Sequence, residues 1–262
     1  MIPSLIRKKL ATEDIILCAK ASYQDPEIIG LMGTFGFDGL WICLEHLRLD
    51  PARVYSLLQA CALGGMDAIV RVKPANYPEL ISLLEAGARG IMLPRVRDLD
   101  EVREVIEAMK FPPEGRRGYD GVHADGNFGR MAPADYFADA NRNTFLMVQI
   151  EEPEIIPQLN ELAAMPGVDV LFVGPGDLAL GLGKIGQPGH PEIQAVLRAV
   201  AAACLRHGKV AGIPCLPNEV NQYREMGFRL FNVVSGYRCM LNGLSQTQLE
   251  LQKAGIQLGR NS

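Results

Sequence analysis

The sequence has no CxxC pair, no GxGxxG turn after its first apolar run, no basic run longer than Arg7-Lys8-Lys9, and no apolar stretch near the ~18 residues that a membrane span needs. Each absence excludes a class of protein. Six cysteines stand apart, at positions 18, 43, 61, 204, 215 and 239, so a disulfide framework is not indicated. Lys and Arg total 26 against 30 Asp and Glu, a net charge of -4, which offers no footprint for nucleic acid. The opening MIPSLIRKKLATED is too poor in apolar residues for a secretory leader. The expectation is a cytoplasmic chain in a reducing compartment, with no nucleic-acid or membrane partner.

What the chain does have is rhythm. Its 262 residues are 48% hydrophobic, enough for one large core and close to the usual size of a (β/α)8 barrel. Short aliphatic runs predict strands at Ile15–Ala19, Leu40–Glu45, Ala68–Val72, Gly90–Leu93, Phe145–Ile150, Val168–Val173, Val210–Ile213 and Leu230–Val234. Between them, helical patterns cover Pro51–Leu63, Tyr77–Ala86, Leu99–Met109, Pro153–Ala164, Pro191–Arg206 and Asn218–Met226. The strands are continuously apolar, as when both faces of a parallel sheet are covered. Eight units without a break in composition favour a closed α/β barrel, a TIM barrel, occupying residues 1–262 as one domain. The segment after the first strand, LCAKASYQDPE, argues against an open dinucleotide-binding sheet.

Two segments depart from the pattern. Lys110 to Asn143 contains PPEGRRGYDGVHADGNFGRMAP, long enough to suggest a lid or a partner contact. The tail, residues 237–258, reads as an extra C-terminal helix with apolar positions at Leu241, Leu244, Leu249 and Leu251.

In such a barrel the chemistry sits at the carboxyl ends of the strands. Those ends carry Glu45 and His46 after the second strand, Arg71 on the third, Gln149 and Glu151 on the fifth, and Gly174-Pro175-Gly176-Asp177 after the sixth. Two carboxylates on adjacent strands, Glu151 and Asp177, could complete an oxygen-rich octahedron with water and a 2-keto acid, suiting Mg or Mn and tolerating Co or Zn. Equally, Asp177 could be an ordinary helix cap. Backbone N–H groups at Gly176 and Asp177 form a nest for a carboxylate, or simply a tight turn. Arg71 can stabilise an enolate oxygen, or serve as an internal ion pair. His46 can relay protons, or hold structure. A Schiff-base lysine is not obvious at a strand end apart from Lys20 and Lys73.

The motifs GFDGLWICLEH, AIVRV, LLEAGARGIMLPRV, PPEGRRG, VQIEEPE, VDVLFVGPGDLALGLG and GQPGHPE occur in order. Together, from about Phe35 to about Met240, the chain resembles the HpcH/HpaI aldolases, class II metal-dependent enzymes acting on pyruvate and 2-keto-3-deoxy sugar acids. The resemblance implies metal ligation by Glu151 and Asp177, and keto-acid contacts from Arg71, Gln149 and the backbone of Gly176 and Asp177. It also implies acid–base work by His46 and a Glu85 that reaches a neighbouring subunit's site. The substrates would be a 2-keto acid and an aldehyde. The assembly would be a homo-oligomer, a hexamer built as a trimer of dimers that exchange C-terminal helices. One residue departs from the family pattern: Cys43 stands where an aspartate usually lies three residues before the histidine, so the proton relay is altered. Keto-acid decarboxylation, acyl-CoA cleavage or a degenerate keto-acid-binding barrel are the alternatives the same residues allow.

Overall fold

A computed structural model describes residues 3–47, 49–72 and 77–259. Eight parallel strands close into a barrel in sequence order: β1 Ile16–Lys20, β2 Gly39–Cys43, β3 Asp67–Arg71, β4 Gly90–Leu93, β5 Phe145–Ile150, β6 Val168–Val173, β7 Val210–Pro214 and β8 Phe228–Ser235. The predicted α/β barrel is what forms. Boundaries shift by a residue or two; β2 ends at Cys43, which leaves Glu45 and His46 in the turn above the barrel.

Alternation along each strand builds two cores. One set of side chains faces the axis, where Ile16, Cys18, Trp41, Ile69, Met92, Phe145, Met147, Val170, Phe172, Val210 and Leu230 form a single buried cluster. The other set, including Leu40, Ile42, Val70, Ile91, Val148 and Leu171, packs outward against the helices. Space at the axis is limited. A Cβ on Gly90 would lie 2.5 Å from the Phe145 ring, so only glycine fits there.

The surrounding helices are α2 Pro26–Gly33, α3 Pro51–Leu63, α4 Tyr77–Glu85, α5 Leu99–Met109, α6 Pro133–Asn143, α7 Leu159–Ala164, α8 Pro175–Gly181, α9 Pro191–His207 and α10 Val220–Glu225, with α1 Leu5–Leu10 before them and α11 Gly236–Lys253 after. Several carry the capping chemistry expected of their ends: Asp50 before Pro51, Asp98 before Leu99, and a left-handed Gly208 closing α9. The expected helix Pro153–Ala164 is divided. Pro157 has no N–H to donate, so Pro153–Gln158 winds as a 3-10 helix before α7 begins.

Helix α1 was not apparent from the sequence, being only six residues long. It plugs the amino-terminal end of the barrel. Ile6 joins the axial cluster, while Asp67 at the start of β3 accepts from Ser4 Oγ at 2.6 Å and from the Ile6 N–H at 2.8 Å. With that end sealed, the carboxyl end is the open one.

The long stretch from Lys110 is no structureless lid. Its last third is α6, and the remainder is anchored by a buried ion pair, Arg117 Nη2 to Asp125 Oδ2 at 2.6 Å. Tyr136 of α6 donates to the same carboxylate at 2.6 Å, and the Arg117 guanidinium lies 4.7 Å from the Phe111 ring centre. At the other end of the chain, α11 follows its Ser235 cap and ends at Lys253, short of the expected Leu258. Leu241, Leu244 and Leu249 on it are exposed. Among the described residues, no helix is long and apolar enough to cross a membrane.

The axial packing gives a direct test. Gly90→Ala is expected to lower unfolding free energy by about 1–3 kcal/mol through overpacking against Phe145. Urea denaturation measures it, and an unchanged midpoint would show that the ring has room to move.

Candidate active site

The last inward positions of β2, β3 and β5 are Cys43, Arg71 and Gln149, and each is buried. Arg71 is 3% exposed and organises them. Its Nη2 donates to Cys43 Sγ at 3.0 Å and its Nη1 to Gln149 Oε1 at 3.3 Å. Glu45 Oε2 lies 3.1 Å from the same Nη1, as an ion pair without hydrogen-bond alignment. The guanidinium also sits 4.7 Å from the Trp41 ring centre. Arg71 is thus ion-paired and stands at the mouth.

Glu151 directly follows β5, and it is 1% exposed. Its Oε2 accepts from Gln149 Nε2 at 2.6 Å, and its Oε1 accepts from the Arg95 backbone N–H at 2.8 Å. Arg95 reaches it because its backbone is left-handed, φ 59°, a conformation that side-chain-bearing residues adopt at a cost and that recurs at functional sites. The neighbouring Glu152 is neutralised by two guanidinium groups, Arg95 at 2.7 Å and Arg97 at 3.5 Å. Glu151 has only N–H partners. Burial, augmented by the charges of Asp177 and Glu45, pushes its carboxyl up to about 7.

Asp177 lies in the first turn of α8. The capping alternative for it does not hold, since no side chain caps that helix. Its carboxylate instead lies 3.6 Å from Arg95 Nη1. Arg95 thus spans the two carboxylates, its backbone on Glu151 and its guanidinium by Asp177. The first helical hydrogen bond of α8 is Leu178 N–H to Gly174, so the N–H groups of Gly176 and Asp177 precede the helix ladder. Gly174 itself is required by crowding: a Cβ there would stand 2.6 Å from Glu151 Oε2 and 2.8 Å from Gln149 Nε2.

Not every residue singled out in the sequence joins this cluster. The His46 side chain is 62% exposed on the rim, with Nε2 3.9 Å from Glu45 Oε2, while its backbone N–H donates to Cys43 Sγ at 3.3 Å. Glu85, the last residue of α4, lies 3.7 Å from His123 Nε2, within the network of the long loop. His190 caps α9, its Nδ1 accepting from the Glu192 N–H. Lys73 lies outside the described residues. Two contributors carried no prior assignment. Glu45 was visible in the sequence only as a strand-end acid, and Arg95 contributes through its backbone angle, which no motif spells out.

The donor set suits a hard divalent cation. Glu151 and Asp177 offer carboxylate oxygens, and a cation beside Glu151 would offset the burial, and the lesser like-charge crowding, that raise its pKa. Among the described residues no group of three or more His, Cys, Asp or Glu is arranged to hold a metal, so most ligands would have to come from water and substrate.

The sequence profile of the HpcH/HpaI aldolase/citrate lyase family matches residues 21–234, most of the chain and all the strands that carry this cluster. The chain belongs to that family. Among its relatives, the 2-dehydro-3,6-dideoxy-6-sulfogluconate aldolase of Pseudomonas putida is 35% identical over 223 residues, covering 84% of this chain and 86% of the relative. The 5-keto-4-deoxy-D-glucarate aldolase of Shigella boydii is 32% identical over 229 residues, covering 87% and 88%. A family member of known structure from Burkholderia cenocepacia is 31% identical and superposes with a TM-score of 0.88, covering 95% of this chain and 99% of that one. Aldolase chemistry is what the named relatives have in common.

Crowding around Gly174 supplies a test that removes no charged group. Gly174→Ala is expected to displace Glu151 and Gln149 and to cut turnover on the order of 100-fold, with little change in thermal stability. Undiminished turnover would show that the two side chains relax without consequence.

Proposed function

We propose that the protein is a divalent-metal-dependent aldolase that makes or cleaves the C–C bond between the enolate of pyruvate, or a close 2-keto acid, and an aldehyde. The observation that carries this reading is Glu151. It is a buried carboxylate without a cationic side chain of its own, crowded by Asp177 and Glu45, beside a buried arginine at the open end of the barrel.

Glu151 and Asp177 would hold the metal, Mg or Mn by the hardness of their oxygens. When bound it would act as a Lewis acid on the keto carbonyl. The remaining work falls to the chain. Arg71 is fixed by Cys43, Gln149 and Glu45, and presents a permanent charge to the keto oxygen as it gains enolate character. Gln149 is oriented at both ends of its amide, between Arg71 and Glu151. The free N–H groups of Gly176 and Asp177 would receive the substrate carboxylate. Proton transfer to the aldehyde oxygen is assigned to His46, whose exposed ring can swing over the mouth. The Cys43 sulfur occupies the place from which a carboxylate would meet Arg71, so this chain leaves one more net positive charge there. A homo-oligomer, the expected hexamer, would cover the exposed apolar positions of α11 and could bring Glu85 to a neighbour's site.

Pyruvate release from a panel of 2-keto-3-deoxy and 4-hydroxy-2-keto acids tests the reading, run in EDTA and then with each divalent metal. Activity is expected to vanish in EDTA and return with Mg or Mn. Glu151→Gln and Asp177→Asn are each expected to lose about 100-fold or more while remaining folded by circular dichroism. Full activity in both variants would remove the assignment. Cys43→Asp is expected to match or exceed the parent rate, and a large loss would give the sulfur a role of its own.

A further inference from the structure

Arg95, two residues past β4, touches both carboxylates to which the metal is assigned. Its backbone is pinned. The N–H donates to Glu151 Oε1 at 2.8 Å from a left-handed φ of 59°, between the buried Pro94 and Val96. Its side chain is pinned as well. Nε lies 2.7 Å from Oε1 of Glu152, a buried carboxylate, and Nη1 of the same guanidinium lies 3.6 Å from Asp177 Oδ1.

The two ion pairs differ in kind. Glu152 also pairs with Arg97, Nε to Oε2 at 3.5 Å, and being buried it anchors the Arg95 guanidinium. Asp177 is partly exposed, and its contact with Arg95 is too long for a hydrogen bond, so water screens it and the pair is weak. Glu151, by contrast, forms no ion pair among the described residues and accepts only from the Gln149 amide and the Arg95 backbone. A fixed positive charge therefore stands beside a site suited to a cation. It would repel an arriving ion, and it cannot withdraw, because its backbone is held by Glu151 and its Nε by Glu152. In the ion's absence Asp177 already has a cationic neighbour.

We propose that Arg95 is a positioning residue that competes with the metal for Asp177: its guanidinium serves Asp177 as counter-ion when no metal is present, and it lowers the affinity of the metal that displaces it. A divalent ion then enters by exchange and leaves readily, so occupancy of the site follows the metal concentration around it. Glu152 sets the strength of the competition, since holding Nε restrains how far the guanidinium leans toward Asp177. The inference rests on the reading of Glu151 and Asp177 as metal ligands, and adds to it a residue that opposes the ion.

Mn(II) titration of the full-length protein without substrate tests it, with the free ion read by electron paramagnetic resonance. Arg95→Met is expected to bind Mn(II) about fivefold more tightly than the parent. Glu152→Gln leaves two guanidinium groups without their shared carboxylate, and is expected to bind about threefold more weakly. A merely structural role predicts a loss in both variants, so the opposite signs carry the test. Arg97→Met removes an equal charge that reaches Glu152 and not Asp177, and is expected to gain less than about twofold. Equal or weaker binding in Arg95→Met, equal or tighter binding in Glu152→Gln, or a gain in Arg97→Met as large as that in Arg95→Met overturns the role of Arg95. Glu151→Gln checks the metal site itself and is expected to lose about tenfold or more in Mn(II) affinity. If that loss appears without a gain in Arg95→Met, only the role of Arg95 falls. If Glu151→Gln and Asp177→Asn both bind as the parent does, the metal assignment falls and the role of Arg95 with it.

Discussion

Closing eight parallel strands into a barrel sends every second side chain toward one axis, and the axis holds only so much. Phe145, Met147, Phe172 and Trp41 fill the middle, and α1 seals the amino-terminal end with Ile6. A polar residue at the last inward position of a strand then has one direction left, the carboxyl-end mouth. Cys43, Arg71, Gln149 and Lys20 all occupy such positions. The site therefore follows from strand parity. A one-residue slip in any of these strands would turn its polar residue into the helix layer and replace it at the mouth with an aliphatic one.

Electrostatics divides that mouth. On the β5–β6 side, Arg95 links Glu151 to Asp177, and burial, with the charges of Asp177 and Glu45, pushes the Glu151 carboxyl up to about 7. Across Trp41, on the β1–β8 side, Lys20 and Arg238 face the opening. Arg71 stands between the two halves, ion-paired to Glu45 and in contact with Trp41. A guanidinium at the boundary is placed where charge would develop in an enolate. The adjacent pair Glu151 and Glu152 illustrates the selectivity of the arrangement. Two arginines neutralise the second, whereas the first is left with neutral donors alone.

Much of this was legible in the sequence, for an identifiable reason. The strands are short and continuously apolar, so their ends are marked by the first polar residue, and that residue is the one the barrel aims at the mouth. Arg71, Gln149, Glu151 and Asp177 were found in this way. Features set by backbone angle rather than by residue type were hidden. Arg95 joins the cluster through a left-handed φ of 59°, which the string LPRV does not encode. Helix α6 was obscured because it follows a glycine-rich loop and carries a mostly polar sequence; its order comes from Tyr136 and the buried Arg117–Asp125 pair. The exposure of His46 was equally hidden, because β2 ends two residues earlier than its hydropathy suggests and leaves the imidazole on the rim.

Cys43 connects these threads. An aspartate at this position would form an ion pair with Arg71 and neutralise the guanidinium at the boundary between the two halves. A thiol accepts the same hydrogen bond at 3.0 Å and still holds the His46 backbone, so the geometry survives the exchange while the charge does not. With one fewer negative charge on β2 than an aspartate would supply, Glu45 is the carboxylate left to offset the Arg71 guanidinium, and the charge that guanidinium turns to the mouth is the less neutralised.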